Sequence, residues 1–223
     1  MIVIREFPPV FLLGKTIEFP DLLDGSVYDD LVCLGGDLSP DRIVTAYKAG
    51  LFPWFIENGI PYWFSPDPRM ILEPAKIKVS KSLAKTIRNR GFEVRFDTDF
   101  LGVMRGCAKP RECEKTTWIT DEYVAGYGAL FERGIAHSVE TWLEGRLVGG
   151  LYGLMIGKVF FGESMFALER DASKVAFAAL CDKLADEGFD FIDCQISSSH
   201  LESLGAVEID RESYLRRLRA AIS

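Results

Sequence analysis

The sequence predicts an α/β fold with a mixed, largely antiparallel sheet, preceded by a small segment of different character. Three observations predict it. Residues 136–166 read as three consecutive strands joined by tight turns, amphipathic helical stripes flank that block on both sides, and residues 1–68 are rich in Pro, Gly and aromatics. The expected organisation is a small N-terminal domain, 1–68, and a larger α/β domain, 69–223. With 223 residues, 48% of them hydrophobic, the chain has material for one large core or two smaller ones. No apolar run reaches the roughly 18 residues that span a bilayer. The start MIVIREFPP lacks a signal-peptide core, so a cytoplasmic protein with no membrane partner is expected.

In order along the chain, Ser39 as cap, Pro40 at the first position and Gly50 past the end mark a helix. LFPWF and PYWFSPDPR follow; their prolines, 53, 61, 66 and 68, argue against a helix or central strand and for a rigid aromatic surface, with Trp54 and Trp63 read as packing residues. Ser80 caps a helix from Lys81 to about Arg90, closed by Gly91, which turns Leu83, Ala84 and Ile87 inward. Phe100, Val103, Met104 and Cys107 mark another helix, and Thr120 caps one that runs to Gly134. The strands Ala136–Leu143, Arg146–Met155 and Lys158–Phe166 form an antiparallel meander through turns at Glu144-Gly145 and Gly157. Asp171 caps a helix with Phe177, Leu180, Cys181 and Leu184 on its buried face, ending at Gly188. A strand through Asp193, a short strand near Val207–Ile209 and an Asp210-capped helix close the chain. That order is the order of elements in an acetyltransferase-like (GNAT) domain.

The strand Phe189–Ile196 is the richest in chemistry. Alternation puts Phe189, Phe191, Asp193 and Gln195 on one face and Ile192, Cys194 and Ile196 on the other. A carboxylate in such a strand must meet either a structural partner or a substrate, because leaving a polar group unpaired there costs roughly 2–7 kcal/mol. Five scattered cysteines without a CxxC pair suit reduced thiols, and the presence of only two histidines argues against a histidine-rich metal site. A net charge of -7 argues against a nucleic-acid partner globally. Locally, however, residues 74–92 contain no acid, and Lys81, Lys85 and Arg88 fall at i, i+4, i+7 as one basic stripe, either a solvated face or a phosphate-binding patch. Coenzyme A is poorly supported as a donor, because the junction GESMFALERDASK lacks the glycine-rich cradle that binds a pyrophosphate at a helix start.

Over nearly its whole length the chain resembles the leucyl/phenylalanyl-tRNA–protein transferase family. The resemblance is carried, in order, by LGGDLSP (34–40), AYKAGLFPW (46–54), SPDPR (65–69), TWIT (117–120), AHSVETW (136–142), LVGGLYG (147–153), FGESMF (161–166), ASK (172–174), IDCQ (192–195) and HLESLGA (200–206). It implies transfer of Leu or Phe, less readily Met, from aminoacyl-tRNA to proteins beginning with Lys or Arg, which marks them for degradation. An aminoacyl ester is already activated, so positioning supplies most of the rate and neither a covalent nucleophile nor a cofactor is required. The resemblance makes Asp193 and Gln195 the catalytic pair, Leu151, Phe160 and Met165 the aminoacyl pocket, and Trp54 and Trp118 the residues that meet the 3′-terminal adenosine. Glu163, expected on the same strand face as Phe161 and Met165, is the candidate for holding the incoming Lys or Arg. His137 and His200 are read as structural, bonded locally, and a monomer is expected. The alternatives are a coenzyme A-dependent GNAT acetyltransferase and a non-catalytic tRNA- or peptide-binding module.

Overall fold

The computed structural model describes residues 10–25, 27, 29–109 and 119–223. A four-stranded sheet comes first: β1 (Phe11–Leu13), β2 (Leu31–Gly35), then helix α1 (Pro40–Lys48), β3 (Phe52–Glu57) and β4 (Ile60–Phe64), in the order β1-β2-β4-β3. Helix α1 starts at Pro40 as expected, although the Ser39 side chain makes no capping bond. The prolines did not keep this segment out of a sheet. Pro61 lies in β4, between two strands, but β2 pairs only with Tyr62, Trp63 and Phe64, so at Pro61 the strand is locally an edge and no ladder donor is missed.

The second sheet has seven strands in the order β11-β5-β10-β9-β8-β7-β6. Its elements are β5 (Arg69–Leu72), α2 (Lys81–Asn89), β6 (Glu93–Phe96), α3 (Phe100–Ala108), α4 (Asp121–Glu132), β7 (Ala136–Leu143), β8 (Arg146–Ile156), β9 (Val159–Ala167), α5 (Ala172–Asp186), β10 (Phe191–Gln195), α6 (Ser199–Ser203), β11 (Val207–Ile209) and α7 (Arg211–Ile222). The meander β7–β8–β9 is antiparallel, as expected, and after the α5 crossover β10 returns parallel to β9. Each face has its own core. On the first, Ile71, Tyr152, Phe161 and Phe191 pack with α1, α3, α4 and α7 and with Trp63 of the small sheet. On the second, Leu72, Leu151, Phe160 and Ile192 pack against Phe177, Leu180, Cys181 and Leu184 of α5.

Two helix expectations fail locally. Ile87 of α2 is 39% exposed rather than turned inward, leaving Leu83 as that helix's buried anchor. Asp171 precedes α5 in a left-handed conformation, φ +66°, and makes no capping bond; its carboxylate accepts from Thr86 Oγ1 at 3.3 Å instead.

Two irregularities at the middle of the sheet shape the site. The β8–β9 ladder shifts register between Tyr152 and Gly153, which inserts Glu163 as an extra residue of β9. In consequence Met165 pairs with Leu151 and packs in the second core, whereas Glu163 stays with Phe161 on the first face; the expected common face of Glu163 and Met165 is not formed. The second irregularity is that β10 pairs with β9 only as far as Phe161, and Gln195 then takes a left-handed conformation, φ +63°, that turns the chain away.

Candidate active site

A cavity of about 1010 Å³ occupies the gap where β9 and β10 diverge. Gly162 to Leu168 form one wall and Gln195 to Ser198 with His200 the other. Its two ends differ in chemistry. On the second face it is an apolar pouch of Leu151, Phe160, Met165, Phe177 and Ile192, which gathers all three residues expected to line an aminoacyl slot. On the first face it is polar, around Glu163, Gln195 and Tyr152, with Trp54, 38% exposed, at its margin. Trp63, by contrast, is buried and donates from Nε1 to the Gly35 carbonyl. Trp118 lies outside the described residues.

Asp193 is fully buried, and four donors meet its carboxylate. Arg69 donates from Nε to Oδ1 at 2.9 Å and from Nη2 to Oδ2 at 2.7 Å, Tyr214 Oη donates to Oδ2 at 2.8 Å, and the backbone N–H of Gln195 donates to Oδ1 at 2.9 Å. The guanidinium of Arg69 also sits 4.8 Å from the ring centre of Phe52 and 4.6 Å from that of Tyr214. Burial opposes its charge, but the Asp193 carboxylate, with the Tyr214 and Tyr47 phenols, holds its pKa above the usual arginine value. Asp193 is not among the residues lining the cavity. Its geometry is that of a clamp: the bond to the Gln195 N–H holds that residue in its left-handed turn.

Gln195 is thereby aimed into the gap. Its Nε2 donates to Glu163 Oε1 at 3.1 Å, an assignment that follows from chemistry, since a carboxylate only accepts. Its Oε1 has no protein partner among the described residues.

Glu163 is half-buried, and among the described residues it forms no ion pair. Tyr47 donates to Oε1 through a short hydrogen bond, Tyr127 donates to Oε2 at 3.0 Å, and the two phenols lie 2.9 Å apart. Burial pushes the Glu163 carboxyl up to about 7, against the three donors that favour its ionised form, and Asp193 adds to the rise. Burial and the Glu163 carboxylate push both phenols well above their ordinary values, so both keep their protons and act as donors.

The remaining polar groups divide between structure and cavity. His137 bonds Asp97 through Nδ1 at 2.8 Å. His200 borders the cavity with a buried Nε2 that has no partner among the described residues, contrary to the expected local bond, and the same holds for the hydroxyl of buried Tyr152. Cys194 lines the cavity, but burial and then Asp193 push its thiol well above the ordinary range, so it is a poor nucleophile. Among the described residues no group of three side chains could hold a metal ion. Lys81, Lys85 and Arg88 are exposed on α2 and form no ion pair among the described residues, whereas Arg90 is bound to Glu169 at 2.7 Å.

Tyr47, Tyr127, Arg69 and Tyr214 were not singled out by sequence reasoning. Nothing local in the sequence marks them, because their partners lie far away along the chain: 116 residues for Tyr47 and Glu163, 124 for Arg69 and Asp193.

Comparison with known proteins places relatives beside this geometry. The sequence model of the family described as leucyl/phenylalanyl-tRNA protein transferase matches residues 71–219, and that of its N-terminal domain matches residues 36–67. The chain is similar to leucyl/phenylalanyl-tRNA–protein transferases of Thiobacillus denitrificans, 52% identical over 86% of this chain and 85% of the relative. With that of Nitrosomonas europaea it is 51% identical over 92% and 88%. Among solved structures, an aminoglycoside acetyltransferase from an uncultured soil metagenomic sample is 13% identical at a TM-score of 0.40, covering 59% of this chain and 89% of that one.

Proposed function

The chain belongs to the leucyl/phenylalanyl-tRNA–protein transferase family, and from that premise we propose that it moves Leu or Phe, less readily Met, from tRNA to proteins beginning with Lys or Arg. The observation that carries this reading is the divided cavity, an apolar pouch meeting, at the Gln195 amide, a carboxylate that no cation of the described residues pairs. The pouch of Leu151, Phe160 and Met165 suits a branched or aromatic side chain, and the unbranched thioether adapts to both. The carboxylate suits the cationic side chain of the acceptor.

The reaction joins the acceptor's α-nitrogen to the ester carbonyl carbon and breaks the bond from that carbon to the ribose oxygen, which leaves with the proton the ammonium loses. An N-terminal amine has a pKa of ≈ 7.7–8.0, so roughly a tenth of it is neutral at pH 7 and no strong base is needed. Gln195 orients that amine: with Nε2 committed to Glu163, its carbonyl oxygen is the group left to accept an amine N–H. An amide cannot keep the proton, which therefore passes on, with the ribose hydroxyl as a relay. Asp193, sealed behind Arg69, acts through Gln195 and is a positioning residue rather than a group that touches substrate.

Trp54 at the cavity margin and Trp118 are assigned to the 3′-terminal adenosine, and the α2 stripe of Lys81, Lys85 and Arg88 to tRNA phosphates. The product is a destabilising N-terminus that directs the acceptor protein to degradation. The enzyme works as a cytoplasmic monomer without a cofactor, with its domains meeting at residues 68 and 69. Supplying Leu- or Phe-charged tRNA with a peptide that begins with Arg and weighing the product tests the reading: a mass gain of one Leu or Phe supports it, and none overturns it. Reversing Lys81, Lys85 and Arg88 to Glu should reduce the salt slope of tRNA binding by about 0.7–0.9 per lost phosphate contact.

A further inference from the structure

Among the described residues, strand β9 leaves a stretch of backbone without a partner. The N–H of Leu168 donates to the Val148 carbonyl at 2.7 Å. Bonded and non-bonded pairs alternate along an antiparallel ladder, so Phe166–Gly150 and Ser164–Tyr152 are bonded pairs, and Met165–Leu151 and Ala167–Gly149 are not. The N–H and C=O groups of Met165 and Ala167 therefore point away from β8, toward the line of β10. That strand does not reach them, since its last partner on β9 is Phe161. Neither residue's backbone is paired on that side among the described residues. Both line the cavity, and Met165 is half-buried, where an unpaired backbone group is uncommon.

We infer that this edge seats the first residues of the acceptor polypeptide, which runs parallel to β9 along the line β10 abandons and exchanges main-chain hydrogen bonds with Met165 and Ala167. The inference rests on the acceptor being a protein N-terminus, as proposed above. Direction follows from the chemistry: with the α-amine set at Gln195 beside Glu163, next to the point where β9 and β10 part, the unpaired edge of β9 continues toward Ala167, and a chain that follows it runs that way. Length fits as well. Glu163 to Ala167 spans about 13 Å at ~3.3 Å per residue, room for three or four extended residues. At the open end, Leu168 is 62% exposed and offers an apolar contact to the departing chain. Strand addition draws its affinity from the main chain, so the enzyme reads the first side chain at Glu163 and tolerates varied sequence after it.

The test compares acceptor peptides on the full-length enzyme with charged tRNA. Arg-Ala-Ala-Ala-Ala amide is N-methylated at one backbone nitrogen at a time, and each analogue is set against the parent. Alternate positions should lose about threefold to tenfold in kcat/KM, one hydrogen bond each, with little loss at the positions between. Ala167→Pro deletes an edge donor with a ring that an edge strand tolerates. It should lower kcat/KM for the pentapeptide about threefold to tenfold more than for arginine amide, which has no chain to pair. A flat N-methyl scan overturns the inference without any protein variant. An Ala167→Pro enzyme that loses tRNA affinity but keeps the pentapeptide-to-amide ratio also overturns it, giving the edge to the nucleotide. If the unmodified pentapeptide accepts no Leu or Phe at all, the proposed function falls, and this inference with it.

Discussion

Asp193 and Glu163 lie on adjacent strands, on the same face of one sheet, and both hold Gln195, one by its backbone N–H and the other by its side-chain amide. Their surroundings differ in one respect. The fold gives Asp193 a cation, Arg69, with two bonds and no exposure, while among the described residues Glu163 meets two phenols and an amide. Neutral donors favour a carboxylate without cancelling its charge, and burial accordingly lifts the Glu163 carboxyl to about 7. A carboxylate neutralised from within becomes scaffold; one left without a cation can read a cation on the substrate.

The largest effect should come from unsealing Asp193. Arg69→Ala strands a buried charge and should cost about 3–5 kcal/mol of stability in chemical denaturation. A loss below about 1 kcal/mol, the size expected of an exposed ion pair, would erase the contrast between the two carboxylates.

Next in size is Gln195, which both carboxylates hold. Gln195→Ala should lower kcat on the order of 10²-fold, the effect of a misplaced reacting group, while tRNA affinity and melting temperature change little. Asp193→Asn should lower kcat and stability together, because it loosens the clamp as well as the turn. An Asp193→Asn enzyme that is stable and fully active would mean that Gln195 holds its turn unaided.

Glu163→Gln separates charge from shape and should reduce the preference for Arg-initial over Ala-initial peptides roughly tenfold, the size of one charge-assisted contact. In the unmodified enzyme that preference should grow with pH. Below about 7 the Glu163 carboxyl is protonated and cannot pair with a cation, and above it the carboxylate is ionised and can. The Arg-to-Ala ratio of kcat/KM, measured from pH 6 to 8, cancels the titration of the acceptor amine common to both peptides. In Glu163→Gln the ratio should be flat.

Much of this was legible in local sequence. The meander, the Thr120 and Asp210 caps and the Gly50 stop are set by neighbours a few residues apart, and they fold as read. The family strings pointed to Asp193, Gln195 and Glu163, but the expected alternation holds only from Phe191 to Cys194: Phe189 packs with the second core and Ile196 with the first, and a register shift after Asp193 sets Gln195 opposite Met70 instead of on Asp193's face of the ladder. What escaped was long-range. Arg69 sits in SPDPR as an ordinary arginine until β5 pairs with β10 and brings it to Asp193. Tyr47 and Tyr127 occupy helix positions that read simply as buried stripe. The β9 bulge, which sends Glu163 and Met165 to opposite faces, breaks the period-two pattern that strand reading assumes.

The smallest effect sharpens the contrast most. Tyr127 donates to Glu163 Oε2, and that bond favours the ionised carboxylate, so it lowers the pKa that burial raises. Tyr127→Phe removes the donor and keeps the ring that packs between Tyr123 and Tyr152. The carboxyl should then titrate higher, by up to about one unit if the lost bond is worth ~1.4 kcal/mol to the charged form. The pH at which the Arg-to-Ala ratio reaches half its maximum should move upward by the same amount. Its plateau at high pH should be nearly unchanged, because an ionised Glu163 still meets the acceptor's cation. A Tyr214→Phe enzyme is the matched control: its hydroxyl donates to Asp193, which Arg69 already neutralises, and the midpoint should stay where it is. If both variants shift the midpoint equally, the Tyr127 bond acts on Glu163 no more directly than the Tyr214 bond does, and the contrast between a sealed clamp and an open reader fails.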